Sequence, residues 1–294
     1  MKKESVEKLQ PALLHHFESV LKKNQLAHAY LFSGDFGNFE LSLLLAQSLF
    51  CTEKDGVWAC GKCRNCRLIE AEEFSDVTVV RPVNQIIKTD RVRDLVQSFS
   101  QSGVEGNRQV FIICDADKMH TNAANSLLKT MEEPQSEIYL FLLSSDSEKI
   151  LPTIRSRTQV ISFPKNDSYL RRYLEEQGLL KTEADLLAAV VTGFSQAEEL
   201  AKSKTFFELA AECDRFTMTY LKGAEQALLQ VSKLTRLADD KVKQEQVFQI
   251  LEVLFAQHMQ QKSGREGLEK LVLARKMWRQ NVAFQATLEY MVLS

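Results

Sequence analysis

The sequence runs to 294 residues, enough for more than one hydrophobic core. With 45% hydrophobic and 26% charged residues it reads as a folded chain, and a formal net charge of -2 excludes a phosphate-neutralising surface spread over the whole molecule. The start, Met1-Lys2-Lys3-Glu4-Ser5, leads into mixed polar sequence without the apolar centre of a signal peptide, and no run of about 18 apolar residues follows, so the expected compartment is the cytoplasm.

In chain order, short β-branched and apolar runs at 29–33, 77–80, 109–114, 138–144 and 159–163 alternate with helical patterns at 40–50, 91–100 and 121–132. That alternation predicts a parallel sheet covered by helices. All five prolines (Pro11, Pro82, Pro134, Pro152 and Pro164) belong to this part, and none follows. From about residue 167 the pattern is helix after helix, with Gly178, Gly193 and Gly223 as expected breaks, first as a short segment to about 205 and then as a longer bundle to 294. Phe248, Leu251, Leu254 and Phe255 show the i, i+3, i+4 spacing of a packed helix; the segment from about Phe206 is the expected assembly surface, with some of Leu251, Leu254, Phe255 and Met259 forming its own core.

Four motifs carry chemistry. The first run ends in Ser33-Gly34-Asp35-Phe36-Gly37-Asn38-Phe39-Glu40-Leu41-Ser42, where a strand turns into a helix. A working phosphate loop reads G-x-x-x-x-G-K-[ST], its lysine and hydroxyl serving phosphates and magnesium. Here Gly34 and Gly37 remain, but Phe39, Glu40 and Leu41 stand at the Gly-Lys-Thr positions, so ATP is not expected to bind. Taken alone, two glycines three apart would read as an ordinary turn.

The second motif, Gln109 to Met119, is an apolar strand ending in acids, the pattern of a Walker B strand. With Ala116-Asp117 in register, Cys114 replaces the magnesium-binding Asp and Asp115 replaces the Glu that polarises water. The third is Cys51-x8-Cys60-x2-Cys63-x2-Cys66, with Gly56 and Gly61 between. Four cysteines in sixteen positions supply a complete tetrahedral shell for structural zinc, which leaves no open catalytic position; free cysteines are the main competing reading. Cys114 and Cys213 read as small buried apolar residues. The fourth is Leu151-Pro152-Thr153-Ile154-Arg155-Ser156-Arg157-Thr158, which by itself would be a solvated, salt-bridged helix end.

Together, His28-Ala29-Tyr30-Leu31-Phe32, Asn125-Ser126-Leu127-Leu128-Lys129-Thr130-Met131-Glu132-Glu133-Pro134 and Ile154-Arg155-Ser156-Arg157 resemble the HAYLF, N-x-LLK-x-LEEP and SRC boxes of bacterial clamp-loader subunits. These boxes and the cysteine insertion span 27–163. The resemblance implies an AAA+ domain of the P-loop type over 1–165 with the zinc insertion at 51–66, a small helical lid over 166–205 and a helical collar over 206–294. It implies a place in the DNA polymerase III holoenzyme beside delta and gamma/tau subunits, with the sliding clamp and primed DNA reached through the complex.

The SRC arginine of that family acts in trans on ATP held by a neighbour, and Arg157, preceded by Ser156, stands at the matching position. Thr158 replaces the Cys of the box, which carries no charge. The lid arginine of a working AAA+ subunit has no counterpart, since no arginine lies between Arg172 and Arg215 and Gly193-Phe194-Ser195-Gln196 offers only Gln196. The resemblance therefore implies a subunit with no activity of its own. A hydrolysing motor is the alternative, for which an intact Lys and Thr after Gly37 would speak. A free-standing zinc-dependent DNA binder rests only on Lys62, Arg64 and Arg67, which Glu70, Glu72 and Glu73 balance.

Overall fold

The computed structural model describes residues 2–84, 86–98, 108–132 and 137–294. The chain divides into two compact units, one of residues 1–169 with 192–194, the other of 170–191 with 195–294.

The first unit opens with helices α1 (Lys2–Leu9) and α2 (Pro11–Lys22), followed by β1 (Ala29–Ser33), α3 (Asn38–Phe50), α4 (Arg64–Glu70), β2 (Val77–Val80) and α5 (Thr89–Ser98). It continues with β3 (Arg108–Ile113), α6 (Thr121–Glu132), β4 (Glu137–Ser144), α7 (Pro152–Arg155) and β5 (Gln159–Ser162). The five strands form a parallel sheet in the order β2-β3-β4-β1-β5.

The two-residue period of a strand sorts its side chains onto two faces. Tyr30, Phe32, Val110, Ile112, Phe141 and Leu143 enter one core with Phe17, Leu41 and Leu45. Ala29, Leu31, Phe111, Ile113, Leu140 and Leu142 enter the other with Val92, Ala123 and Leu127. Central strands buried on both faces need continuous apolar runs, which is why β1 and β3 read so clearly in the sequence. The edge strand β5 is mostly exposed.

The expected elements are all present, with end corrections. The strand expected at 109–114 ends at Ile113 and leaves Cys114 just beyond it, and the strand expected at 159–163 ends at Ser162. The helix expected from Glu40 starts at Asn38, and the one expected at 91–100 starts at Thr89; Phe99 and Ser100 lie outside the described residues, as do Glu133 and Pro134 of the LEEP-like box.

The second unit is all-helical. Its elements are α8 (Asp167–Glu176, of which it takes the residues from Leu170), α9 (Lys181–Val190), α10 (Phe194–Ala201, from Ser195), α11 (Lys204–Lys222), α12 (Leu228–Leu237), α13 (Lys241–Gln257), α14 (Lys262–Arg279) and α15 (Phe284–Leu293). Gly178, Gly193 and Gly223 fall between helices, as expected. Of the four apolar residues singled out in the last helical segment, Leu251, Leu254 and Phe255 are those that form the unit's own core, because α13 packs against α9, α11 and α14, whereas Met259 is exposed. Exposed apolar side chains of this unit include Leu229 on α12, Val242 on α13, Val272 and Leu273 on α14, and Leu293 on α15. Among the described residues no helix is long and apolar enough to cross a membrane.

Candidate functional site

The phosphate-loop-like turn follows β1 at the carboxyl ends of the strands, where neighbouring strands β4 and β5 flank β1 and a crevice can open in this kind of sheet. Gly34 has φ +110, and a Cβ there would sit 2.2 Å from the Phe163 carbonyl oxygen, so only glycine fits. Gly37 has φ +87 and forms the N-cap of α3. The turn is closed from outside by Gln10, whose Nε2 donates to the carbonyls of Phe36 at 2.9 Å and Pro164 at 2.6 Å.

Of the residues at the Gly-Lys-Thr positions, Leu41 is wholly buried in the core, while Phe39 and Glu40 are half-buried. Glu40 places a carboxylate in the first turn of α3, where the helix dipole favours an anion. A second anion from outside would meet that charge.

Beside the turn, Asp115 at φ +48 pairs with Lys118 at 3.2 Å, and Ser144 Oγ donates to Asp117 at 3.0 Å. Burial raises the Asp35 carboxyl above its usual range, and the charges of Asp115 and Asp117 add to this against Lys149 and Lys118. Cys114 is half-buried, not buried as expected, and burial pushes its thiol up to about 11; Cys213 is buried as expected.

The four clustered cysteines come together. Cys51 caps the end of α3, Cys63 precedes α4, Cys66 lies within it, and all four sulfurs are within 4.8 Å of one another. Such a group could hold a metal ion. Backbone amides already face the sulfurs: those of Cys60 on Cys51 Sγ at 3.3 Å, and of Lys62 and Cys63 on Cys60 Sγ at 3.5 and 3.3 Å. Gly61 at φ +71 makes the turn that aims two of them. Gln47 Nε2, donating to the Cys66 carbonyl at 2.8 Å, and Asn65 Nδ2, donating to that of Phe50 at 3.0 Å, tie the two helices together behind the cluster. Sequence reasoning missed these two amides and Gln10, because an isolated Gln or Asn carries no signal of what it will meet.

Ser156 and Arg157 lie exposed just after α7, which Ile154 anchors in the core. Arg157 Nη1 donates to the Thr153 carbonyl at 2.9 Å, whereas Arg155 pairs with Glu148. Gln159 is level with Tyr30 in the sheet, so Arg157, two residues earlier, lies toward the amino ends of the strands. Gly34 lies four residues further along, roughly 13 Å at 3.3 Å per residue. The sheet therefore holds Arg157 and the chain's own turn apart.

The family described as "DNA polymerase III, delta subunit" matches residues 9–167. The chain is 37% identical over 207 residues to DNA polymerase III subunit delta' of Bacillus subtilis, covering 69% of this chain and 63% of that protein. It is 29% identical over 199 residues to the Escherichia coli protein of the same name, covering 65% and 60%. A tau/gamma subunit of Haemophilus influenzae is 34% identical over 139 residues, covering 47% of this chain and 20% of that one. The chain thus spans less than two thirds of the length of these relatives. Among solved structures, a DNA polymerase III gamma subunit-related protein of Thermotoga maritima superposes with a TM-score of 0.53 over 95% of this chain and 97% of that one. At 18% identity that likeness speaks to the fold alone, which is the AAA+ fold.

Proposed function

This chain belongs to the DNA polymerase III delta-subunit family, and from that premise we propose that it works as the delta-prime subunit of a clamp loader, a subunit without nucleotide chemistry of its own that completes the assembly and lends Arg157 to a neighbour's ATP. The observation that carries this reading is the turn after β1. Its glycines keep the shape of a phosphate loop, while Phe39, Glu40 and Leu41 take the places of the residues that would hold phosphate and magnesium, and Cys114 does so at the end of β3.

In this reading residues 1–165 are the AAA+ domain, 166–205 the lid and 206–294 the collar. The partners are delta and gamma/tau subunits, with the sliding clamp and primed DNA engaged through the complex. Phosphoryl transfer builds charge on the γ-phosphate oxygens, and a guanidinium supplied by a neighbour stabilises it in fixed geometry. The exposure of Arg157 and its distance from the chain's own turn support service in trans.

Zinc fits the cysteine cluster. Four thiolates at a Zn–S distance of about 2.3 Å stand about 3.8 Å apart in a tetrahedron. Cys51 and Cys63 are 3.9 Å apart, and the surrounding amides stabilise negative sulfurs. Zinc would be structural here, fastening α3 to α4, because Cys51, Cys60, Cys63 and Cys66 fill every position of the shell.

The motor reading draws on the tau/gamma likeness over 139 residues. Two measurements separate the readings. Titration with a fluorescent ATP analogue and magnesium should show neither binding nor turnover, and mixing with purified delta and gamma/tau subunits should yield a co-eluting complex. Micromolar binding with turnover would favour the motor, and failure to co-elute would remove the clamp-loader role.

A further inference from the structure

One of the departures from a working phosphate loop, Phe39, meets the side chain of Arg81. Its guanidinium donates from Nη1 to Glu72 Oε2 at 2.5 Å and from Nη2 to Glu72 Oε1 at 2.6 Å, the two-pronged geometry that a planar fork makes with a carboxylate. The same guanidinium lies over the Phe39 ring, its carbon 5.1 Å from the centroid, within cation–π range. Arg81 itself follows Val80, the last residue of β2, whose carbonyl accepts from the Cys114 amide at 2.9 Å. Glu72 follows α4, the helix that carries Cys66, and its φ of +61 turns the chain there.

One residue thus joins three pieces of chain: its guanidinium meets the start of α3 and the segment after α4, and its backbone adjoins the end of β3 through Val80. In a working site the start of α3 and the end of β3 are joined by phosphates and magnesium. We propose that Arg81 is a built-in bridge, a positioning residue that holds the degenerate turn against the end of β3 and the cysteine module without any ligand.

The proposal accounts for two substitutions together. An aromatic ring at Phe39 offers a face that glycine lacks. A neutral thiol at Cys114 does not compete with Glu72 for the fork, as a carboxylate would. With side chains 48% and 32% exposed, Arg81 and Glu72 would be worth little as a lone ion pair. Their weight comes from the stacked ring and from the three segments they join. The inference uses neither a metal on the cysteines nor a neighbour's nucleotide, so it stands or falls separately from the proposed function.

Amide hydrogen exchange of the full chain tests it, comparing wild type with Arg81→Ala, Arg81→Lys and Phe39→Leu. In Arg81→Ala, amides of 34–41 and 68–73 should exchange about tenfold faster, while those of α13 stay unchanged. Arg81→Lys should resemble Arg81→Ala, because lysine keeps the charge but loses the fork and the flat face. Phe39→Leu should fall between them and wild type. Exchange at 34–41 within about twofold of wild type in a folded Arg81→Ala, or full protection restored by lysine, would overturn the bridge. Should Arg81→Ala not fold, the lysine and leucine variants decide: faster exchange at 34–41 in both supports the bridge, and wild-type exchange in either refutes it.

Discussion

Replacing Gln10 with alanine tests how the phosphate-loop-like turn is held. The side chain is buried, and both hydrogens of its amide are engaged, one by the Phe36 carbonyl at 2.9 Å and one by that of Pro164 at 2.6 Å. A hydrogen bond contributes about 1 kcal/mol net, and a carbonyl stranded without a donor costs about 1–3 kcal/mol. Water entering the space left by the amide can satisfy one of the two carbonyls, so the expected loss is about 2–4 kcal/mol. Urea unfolding of the full chain, followed by far-UV circular dichroism, should show a lower midpoint with an unchanged slope for the transition of the sheet-containing unit. Gln10→Glu should be no better at neutral pH, because a carboxylate offers no donor to either carbonyl. A loss below about 0.5 kcal/mol for Gln10→Ala, the size of a surface substitution, would mean that the amide does not hold the turn.

If the cysteine cluster holds the proposed zinc, metal analysis should find one per chain, and Cys63→Ser should lose it and melt at a lower temperature; unchanged metal content and stability would remove the site. Arg157→Ala should leave the chain folded and assembled yet lower the clamp- and DNA-stimulated ATPase of the reconstituted complex, with Arg157→Lys close behind and Arg155→Ala milder; arginines supplied in trans elsewhere are worth roughly 10³ to 10⁵ in rate, diluted here because one site of several is affected. Wild-type activity from an assembled Arg157→Ala complex would leave the subunit as scaffold alone. The raised Asp35 carboxyl means that the folded state holds its proton to a higher pH than the unfolded chain does, so this group costs stability as pH rises and costs nothing below the unfolded range. Asp35→Asn should therefore be more stable than wild type at pH 7, with the gain vanishing on acidification below about pH 4; equal stability at pH 7 would contradict that sign.

The sheet was legible because central strands buried on both faces must be written as unbroken apolar runs, and β1, β3 and β4 are. Strand ends were less so. Cys114 still donates to Val80, the last residue of β2, but has no residue of β2 level with it, and where the neighbouring strand ends no local pattern records.

The cysteine module was legible for a different reason. Its ligands are close in sequence, so spacing alone brings them within reach of one another, and the structure gathers all four sulfurs. The helical unit was less legible: Leu251, Leu254 and Phe255 have the same spacing whether they face a neighbour or the unit's own centre, and only packing against α9, α11 and α14 decides that they lie inside.

Composition, periodicity and short-range spacing are local properties, and they sufficed for the parallel sheet, the helical remainder and the four-cysteine cluster. Contacts between residues far apart in sequence depend on the folded path of the chain. Gln10 reaching Pro164, Arg81 reaching both Phe39 and Glu72, and the sheet separating Arg157 from Gly34 exist only once that path closes, because a polar side chain's partner is set by what the fold carries past it and not by its neighbours in the sequence.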